Sequence, residues 1–556
     1  WFPDLTLNFA ENLLRWDGDS IAIISWNEDG FTERLSNGQL AGNVLALADQ
    51  LRTAGVSRGD RVVVYLPNIP DAVIAMLAAT SLGATWSSCS PDFGVQGVLD
   101  RFGQIEPKVC FFAESYRYAG KTIDLTGRIK ELREKLPSVK QWISVPLPRT
   151  EALAAASRKF EQLPFNHPLY IMYSSGTTGL PKCMVHGVGG TLIQHHKEHR
   201  LHTDVTRDDK VFYFTTCGWM MWNWLVSCLA VGATIVLYDG APMPPGKEDI
   251  LWRMAEEEGI TVFGTSAKYL ALCEKSGLHP ATSQNLPALR TVLSTGSPLA
   301  NHSFDYVYSS IRNDVHLASI SGGTDIISCF AGGNPIAPVY RGELQTRALA
   351  MAVDVWDENG QSLREEAGEL VCTKPFPSMP VEFWDDPDGS KYRAAYFDFF
   401  PGVWRHGDWS EITKHDGMII YGRSDATLNP GGVRIGTAEI YRQVEQLPEI
   451  VESLAVGQDI GEQGDVRIVL FVRLREGIVL DDPLKARIKK QIRDNTTPLH
   501  IPKVIVQVAD IPRTISGKIS ELAVRNVIHG KPVKNTDALA NSAALELFRD
   551  LPELAF

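Results

Sequence analysis

The chain has 556 residues, of which 44% are hydrophobic and 22% are charged. This composition is typical of a globular protein and unlike that of a disordered or collagen-like chain. At about 150 residues per domain, the length predicts roughly three to four domain-sized units with room for a cleft. The 54 basic and 66 acidic residues leave a net charge of −12 at pH 7, which argues against the basic surface typical of nucleic-acid binding.

Eight cysteines are scattered along the chain without any Cys-x-x-Cys pair: Cys89, Cys110, Cys183, Cys217, Cys228, Cys273, Cys329 and Cys372. Most lie in apolar runs, which favours buried, reduced thiols and indicates a cytoplasmic protein. The longest apolar stretch, Trp224–Tyr238, is interrupted by Ser227 and Gly232 and is too short to span a membrane. The chain begins with Trp1 rather than Met, so the sequence leaves open a natural start further upstream and a targeting segment there.

Short β-branched or aromatic runs alternate with helical patterns over the first 300 residues. The predicted strands are Arg61–Leu66, a short run near Thr85, Pro107–Ala113, Val211–Thr215, Ala233–Tyr238, Ile260–Gly264 and Arg290–Ser294. The predicted helices are Asp71–Leu82, Glu248–Glu258 and Ser266–Lys275. Apolar strands that alternate with helices predict an α/β fold, with parallel sheets covered on both faces. In such folds ligands bind beyond the carboxyl ends of the strands.

The pattern changes after about residue 340. Shorter, turn-bounded strands at Val353–Asp357, Gly368–Cys372 and Gly417–Tyr421 predict a small antiparallel or barrel-like unit. A glycine-rich break at Gly422–Gly436 is followed by further strand and helix patterns: Thr437–Gln446, Ser453–Gly457, Ile468–Leu474, Pro483–Asn495 and Val504–Val508. We therefore predict an N-terminal domain over 1–424 and a smaller α+β C-terminal domain over 425–556, with an extension from about residue 530.

The segment Tyr173–Lys182 (YSSGTTGLPK) is the most informative loop, and it follows the predicted strand Leu169–Tyr173. Its glycines and hydroxyl side chains can surround phosphate oxygens, and Lys182 adds a positive charge. The loop is not a Walker A motif, because Cys183 follows the lysine where that motif requires Ser or Thr. An ordinary polar surface loop is the alternative, and the rarity of the complete string disfavours it.

The string YSSGTTGLPK resembles the phosphate loop of the adenylate-forming (ANL) superfamily, which includes acyl-CoA synthetases, adenylation domains and luciferases. The chain also contains segments that resemble the other motifs of this superfamily, in the right order: Ser321–Asp325 (SGGTD), Val403–Asp408 (VWRHGD), Tyr421–Glu439 and Pro512–Lys518 (PRTISGK). The segment Trp1–Leu14 further resembles the start of acetyl-CoA synthetases. The resemblance spans nearly the whole chain. It implies an N-terminal domain of two parallel-sheet layers with a small β-barrel-like subdomain, and a mobile C-terminal domain.

The resemblance implies ATP and Mg²⁺ as ligands. The ATP-binding residues implied are Ser174, Ser175, Gly176, Thr177, Thr178, Gly179 and Lys182 for the phosphates, Gly296, Ser297 and Pro298 for adenine, Gly323, Thr324, Asp408 for the ribose hydroxyls, Arg423 and Lys518. Asp325 replaces the superfamily's usual Glu and would hold Mg²⁺, which needs only one or two protein oxygens besides phosphates. Lys518 would reach the α-phosphate and the substrate carboxylate as charge moves in the transition state. Thr324, Asp325, Lys182 and Lys518 are thus the predicted catalytic residues.

Coenzyme A is the second co-substrate that the resemblance implies. Asp425 is the predicted hinge, about which the C-terminal domain presents one face for adenylation and another for thioester formation. Gly431 and Gly432 would let the pantetheine arm pass close to the backbone. Arg434 would meet the CoA phosphates, and the weaker candidates for that role are Tyr118, Lys121 and Lys489.

The acyl pocket is predicted from Cys217, Gly218 and Trp219 on one side and Gly322 on the other. In acetyl-CoA synthetases a Trp two residues before the acidic-motif Thr shortens this pocket. Gly322 stands there in this chain, so the resemblance predicts space for a longer acid. The expected reaction joins acetoacetate to CoA through an acyl-adenylate, with ATP cleaved to AMP and pyrophosphate.

Alternative functions within the superfamily are a propionyl- or other short-chain acyl-CoA synthetase and an adenylation module that loads a carrier-protein thiol. Lys182 and Lys518 disfavour a non-catalytic adenylate binder. The expected partners are small molecules, with neither nucleic acid nor membrane. The sequence does not fix the oligomeric state, for which a monomer or weak dimer is the expectation.

The polar segment Gln194–His202 (QHHKEHRLH) places His195 and His199 one helical turn apart, a spacing that can bind a metal. No thiol or carboxylate is obviously placed to complete such a site. We therefore predict a solvated polar helix here. A Ser/His/Asp hydrolase is disfavoured, because the sequence contains no Gly-x-Ser-x-Gly elbow.

Overall fold

The computed structural model describes residues 1–150, 159–173, 180–428, 430, 435–460, 465–514, 517–533 and 536–555. The predicted phosphate-loop residues 174–179 and the predicted CoA-binding residues Gly431, Gly432 and Arg434 lie outside the described residues.

Two mixed seven-stranded sheets form the body of the fold. In spatial order, the first contains Glu382–Phe383, Cys183–Gly187, Pro168–Tyr173, Thr85–Cys89, Arg61–Tyr65, Val109–Phe112 and Gln141–Ser144. The second contains His316–Ser319, Thr291–Thr295, Val262–Ser266, Lys210–Tyr213, Thr234–Asp239, Ile21–Asn27 and Gly30–Ser36. Most neighbouring strands in both sheets are parallel. The antiparallel pairs are Cys183–Gly187 with both of its neighbours in the first sheet, and Ile21–Asn27 with Gly30–Ser36 in the second. This topology confirms the predicted fold class.

Helices cover the sheets and fill the layer between them. Those in the first 400 residues are Phe9–Leu13, Asn37–Thr53, Pro70–Ser81, Val95–Ile105, Thr126–Lys135, Val188–Lys197, Met220–Ser227, Ile250–Glu258, Ala267–Lys275, Pro280–Ser283, Asn301–Tyr306 and Ser390–Tyr396. Every residue of Pro70–Ser81 and of Met220–Ser227 is buried, as expected for helices that are apolar on all sides. Trp86 of the first sheet stacks on Trp222 with ring centroids 6.1 Å apart. One continuous core therefore joins the two layers.

The barrel-like unit predicted after residue 340 is a four-stranded antiparallel sheet: Val353–Trp356, Ala367–Cys372, Trp404–Ile412 and Met418–Arg423. A smaller antiparallel sheet precedes it, with strands Ser321–Gly323, Ser328–Gly332 and Thr346–Arg347. Short two-stranded pairs complete the N-terminal part: Thr6–Leu7 with Leu163–Pro164, and Ser115–Tyr118 with Lys121–Asp124.

The C-terminal part is built on three strands, Ile450–Ile460, Asp465–Leu474 and Val504–Gln507, with helices Thr437–Val444, Asp482–Asn495 and Glu521–Ile528. Asp425 lies in the 3₁₀ turn Ser424–Ala426. The preceding core cluster ends at Ile420, and the next begins at Leu428. The segment after residue 536 forms short 3₁₀ turns, and Phe548 packs on Phe471 with ring centroids 4.7 Å apart. The domain boundary at Asp425 stays a prediction.

All eight cysteines are buried and free of disulfides, as predicted. No helix among the described residues is long and apolar enough to cross a membrane.

Candidate active site

A cavity of about 640 Å³ lies beyond the carboxyl ends of the neighbouring parallel strands Thr291–Thr295 and His316–Ser319, where ligands bind in such sheets. The C-terminal part closes its other side. Its walls bring together many of the predicted residues: Lys182, Trp219, Gly296, Ser297, Pro298, Gly322, Gly323, Thr324, Asp325, Asp408, Arg423, Asp425 and Lys518.

The turn Gly296–Pro298 follows strand Thr291–Thr295 directly. Gly296 has φ = +95°, a conformation that glycine adopts without strain. A Cβ atom built on it would lie 4.0 Å from Trp219 Cζ2. The bare backbone of this turn and the Trp219 ring thus form adjacent walls of the cavity.

Asp408 and Arg423 are paired by the sheet itself, because they are opposite each other in the antiparallel strands Trp404–Ile412 and Met418–Arg423. Arg423 Nη1 donates to Asp408 Oδ1 at 3.1 Å and to the carbonyl oxygen of His406 at 3.1 Å. Burial lowers the pKa of Arg423, but the charges of Asp408, Asp425 and Asp325 outweigh this and raise it. The guanidinium therefore stays charged.

Asp325 is the buried carboxylate of the acidic motif. Tyr396 Oη donates to its Oδ1 at 2.5 Å. Burial raises the pKa of Asp325, but His406, the Tyr396 hydrogen bond, Lys182 and Arg423 outweigh this and lower it. The carboxylate is therefore ionised. Lys182 Nζ lies 5.7 Å from the Tyr396 ring centroid. Tyr396 therefore contacts both the ammonium of Lys182 and the carboxylate of Asp325.

Lys518 lines the cavity from the C-terminal part, where hydrogen bonds tie it to Thr514. The Thr514 amide donates to the Lys518 carbonyl oxygen at 2.8 Å, and the Lys518 amide donates to Thr514 Oγ1 at 3.1 Å. The pKa of Lys518 is lowered, because burial and the charge of Arg423 outweigh the opposing charges of Asp408 and Asp325. Lys518 therefore lies in the same cavity as the described residues that are predicted to bind the nucleotide.

The acyl side of the cavity differs from the prediction. Gly322 lines it, but a Cβ on Gly322 would lie 2.0 Å from the Ser328 carbonyl oxygen and 2.5 Å from Cys329 Cα. The space predicted above Gly322 is therefore filled by the backbone of the adjacent strand. Cys217 is fully buried with its Sγ 3.3 Å from the Pro67 carbonyl oxygen. Neither Cys217 nor Gly218 lines the cavity, whereas Trp219 does.

Comparison with known proteins agrees with this geometry. The model of the family described as AMP-binding enzyme matches residues 9–379, and that of the AMP-binding enzyme C-terminal domain matches residues 442–518. An acetoacetyl-coenzyme A synthetase of Rhizobium meliloti (strain 1021) is 54% identical, over all of this chain and 87% of the relative. The chain belongs to the acetoacetyl-CoA synthetase family of AMP-binding enzymes. The resemblance given by the sequence motifs is thereby confirmed.

Further relatives support this family. The acetoacetyl-CoA synthetase of Xenopus tropicalis is 48% identical over the whole chain and 86% of the relative. The solved structure of acetoacetyl-CoA synthetase from Streptomyces lividans has a TM-score of 0.92 at 46% identity, covering 99% of this chain and 87% of that chain. The crystal structure of an anthranilate CoA ligase in complex with anthranoyl-AMP has a TM-score of 0.81 at 17% identity, covering 94% and 97%. This last likeness shows the fold alone.

The predicted CoA-binding residues that are described lie away from the cavity. Tyr118 and Lys121 flank the turn of the exposed hairpin Ser115–Asp124, and Lys489 lies on helix Asp482–Asn495. The hairpin turn is fixed by Glu28, which accepts from the amides of Ala119 and Gly120 at 2.6 Å each.

Six of the nine residues of the polar segment Gln194–His202 are buried and three are exposed, so the predicted solvated helix is wrong. His195 is 1% exposed and His199 is fully buried. His195 Nε2 lies 2.8 Å from the Ile327 carbonyl oxygen, and His199 Nε2 lies 3.0 Å from that of Trp224. The described residues contain no group of three or more His, Cys, Asp or Glu side chains that could hold a metal. These imidazoles instead satisfy backbone groups in the core.

Several groups around the cavity were missed by the sequence analysis. His406 and Tyr396 contact the acidic motif, and Glu198 and His202 line the cavity. His406 had a signal, since it takes the place of the threonine in the TGD-type motif. Tyr396 had none, because its helix is separated by about 70 residues from the aspartate it contacts.

Proposed function

We propose that this chain joins acetoacetate to coenzyme A through an acetoacetyl-adenylate, cleaving ATP to AMP and pyrophosphate. The observation that carries the proposal is the convergence of Lys518, Asp408, Arg423 and Asp325 on one cavity, whose wall also includes Trp219 and Gly322 of the predicted acyl pocket. The names of relatives that are 54% and 48% identical support the choice of acid.

Adenylation requires a carboxylate to attack the α-phosphorus of ATP, so two anions must meet. Lys518 and Arg423 supply positive charge where the carboxylate and phosphate approach, and Lys182 supplies it towards the leaving pyrophosphate. Asp408 accepts from the two ribose hydroxyls and so fixes the nucleotide. The low pKa of Asp325 keeps a carboxylate available at the phosphates.

Mg²⁺ fits the residues present at Asp325. Among the described residues, the hydrogen bond from Tyr396 goes to Oδ1, and Oδ2 is the oxygen that would serve as a ligand beside the phosphates. When bound, the ion would neutralise part of the phosphate charge. The hydrogen bond from Tyr396 holds one carboxylate oxygen of Asp325 in place.

Thioester formation requires the CoA thiol to reach the acyl carbon. Lys518 lines the cavity from the C-terminal part. It therefore has to leave the cavity to make room for the CoA thiol. We propose that the C-terminal domain rotates about Asp425 between the half-reactions, and that Gly431, Gly432, Arg434, Lys121 and Lys489 serve the CoA-binding orientation.

The cellular setting forms part of the proposal. Eight buried free thiols fit a reducing compartment, and we place the enzyme in the cytoplasm. The expected partners are its small-molecule substrates, and a monomer or weak dimer is expected.

The test is acid-dependent exchange of labelled pyrophosphate into ATP with acetate, propionate, butyrate, acetoacetate and 3-hydroxybutyrate, followed by addition of CoA. We expect the highest kcat/KM with acetoacetate and rapid thioester release once CoA is present. A higher kcat/KM with acetate or propionate would refute the acid assignment. Release only to a carrier-protein thiol would refute CoA as the acceptor.

A further inference from the structure

The part of the cavity wall next to Gly322, where the backbone of Ser328 and Cys329 lies, carries a charged group that the reaction does not use. Glu198 lines this end of the cavity together with His202, Ser328 and Cys329. The Glu198 residue is only 4% exposed. It belongs to the polar segment Gln194–His202, whose burial the sequence did not predict.

Glu198 is held as an anion by a complete set of donors. Trp224 Nε1 donates to Oε2 at 3.0 Å, the Cys329 amide donates to Oε1 at 3.1 Å, and the Ser328 hydroxyl also donates to Oε1. Burial raises the pKa of Glu198, but Lys197, His195 and these hydrogen bonds outweigh it and lower the pKa. Lys197 Nζ lies 3.5 Å from Oε1 and offsets part of the charge, but Lys197 does not line the cavity.

The neighbouring imidazole does not cancel this charge. His202 Nδ1 lies 2.8 Å from the Gly333 carbonyl oxygen, and its Nε2 accepts from the Leu349 amide at 3.1 Å. This pattern requires the neutral ring with hydrogen on Nδ1. Burial lowers the pKa of His202, so the ring stays neutral. The carboxylate of Glu198 is therefore the charge that this end presents to an acyl chain.

A negative charge at this position can distinguish acetoacetate from malonate, which the shape of a pocket cannot do well. Malonate has the same outline as acetoacetate, because a carboxylate oxygen replaces the terminal methyl group. A pocket that relies on size rejects such an isostere weakly. A buried anion rejects the second carboxylate strongly, since like charges in a dry site repel and the added carboxylate also loses its hydration.

We propose that Glu198 is a specificity-determining residue that makes the acyl pocket reject dicarboxylates and accept acids with an uncharged tail. The inference rests on the proposed function, because it places the acyl chain at the end of the cavity that Glu198 lines. The methyl group of acetoacetate would face Glu198, and its hydrogens, polarised by the adjacent ketone, suit a carboxylate neighbour.

The test compares kcat/KM for acetoacetate and malonate in the wild type, Glu198→Gln and Ser328→Ala. Glu198→Gln removes the charge at nearly constant shape, and we expect the acetoacetate-to-malonate ratio to fall by about tenfold or more. Ser328→Ala removes one hydrogen bond but keeps the charge, so its ratio should stay within about threefold of the wild type. An unchanged ratio in Glu198→Gln, or equal shifts in both variants, would overturn the proposal.

Lys197→Gln provides an opposite and independent test. It leaves Glu198 less compensated, so the acetoacetate-to-malonate ratio should rise, and a fall would contradict the inference. The KM for ATP should not change in any of the three variants. Failure of the proposed function is distinguishable, because it appears as poor activity of the wild type with acetoacetate. In that case the ratio is measured instead with the acid that the wild type prefers and with the dicarboxylate of the same shape.

Discussion

An ion pair at the cavity wall joins the N-terminal part to the C-terminal part. Lys268, on helix Ala267–Lys275, places its Nζ 3.5 Å from Glu452 Oε1 on strand Ile450–Ile460. Glu452 also pairs with Arg513, five residues before Lys518, and with Arg473 at 3.3 Å. The pair therefore links the N-terminal part to the segment that carries Lys518. We predict that Lys268→Ala weakens adenylation selectively.

The magnitude follows from distance and exposure. At 3.5 Å and an effective dielectric constant of about 20, the gross attraction is about 5 kcal/mol. The Lys268 side chain is 43% exposed, and Glu452 keeps both arginine partners, so we reduce the net loss to about 1 kcal/mol. That loss changes the equilibrium between domain orientations by about fivefold.

The assay measures the two half-reactions separately. Pyrophosphate exchange reports adenylation, and CoA-dependent consumption of supplied acetoacetyl-adenylate reports thioester formation. We expect the ratio of their rates to fall about fivefold in Lys268→Ala, and high salt to reduce the same ratio in the wild type. Lys268→Arg should restore most of the ratio.

The matched control is Arg341→Ala. Its pair with Asp305 spans 2.6 Å, but both side chains are more than half exposed and both lie in the N-terminal part. The ratio should not change in this variant. Equal losses of both half-reactions in Lys268→Ala, or no change in their ratio, would refute a role for the pair in domain orientation.

Three further outcomes are expected. Lys518→Ala should reduce adenylation by about 10² or more while largely sparing thioester formation from supplied adenylate, and equal loss in both half-reactions would contradict two domain faces. Gly322→Ala should lower stability by about 1–3 kcal/mol in chemical denaturation because its Cβ meets the Ser328 carbonyl, whereas Gly127→Ala, with open space on its helix, should not destabilise. Burial, Asp92 and Glu28 raise the pKa of Asp239 to about 7. Its contribution to stability is therefore present at about pH 4 and lost as pH rises through 7. Asp239→Asn should raise the Tm relative to the wild type at pH 8 and not at pH 4, and a constant Tm difference would contradict this.

The elements were predictable where the chain is apolar and local. Strand Arg61–Tyr65 and helix Pro70–Ser81 lie within a residue of the predicted Arg61–Leu66 and Asp71–Leu82. Continuous valines and a proline at the first helical position determine them without help from distant residues. The described motif residues of the site line one cavity, as the resemblance implied.

The errors have a different origin, which is contact between distant segments. Gln194–His202 contains seven charged or titratable side chains in nine positions, a pattern typical of a solvated helix. It is buried because Gln194 and Glu198 satisfy Ser328 and Cys329, about 130 residues away. The crowding at Gly322 arises from the same strand. No periodicity within a segment reveals a partner supplied by another strand.

The position of Lys518 shows how an enzyme of net charge −12 concentrates positive charge where it binds nucleotide. Burial lowers the pKa of Lys518, whereas Asp408 and Asp325 raise it, so these two carboxylates stabilise the ammonium in the cavity. Both belong to the N-terminal part. ATP phosphates would add further negative charge there, and nucleotide binding should therefore favour the orientation that inserts Lys518. Once pyrophosphate leaves, that attraction weakens, which gives the C-terminal domain a physical reason to rotate only after adenylation.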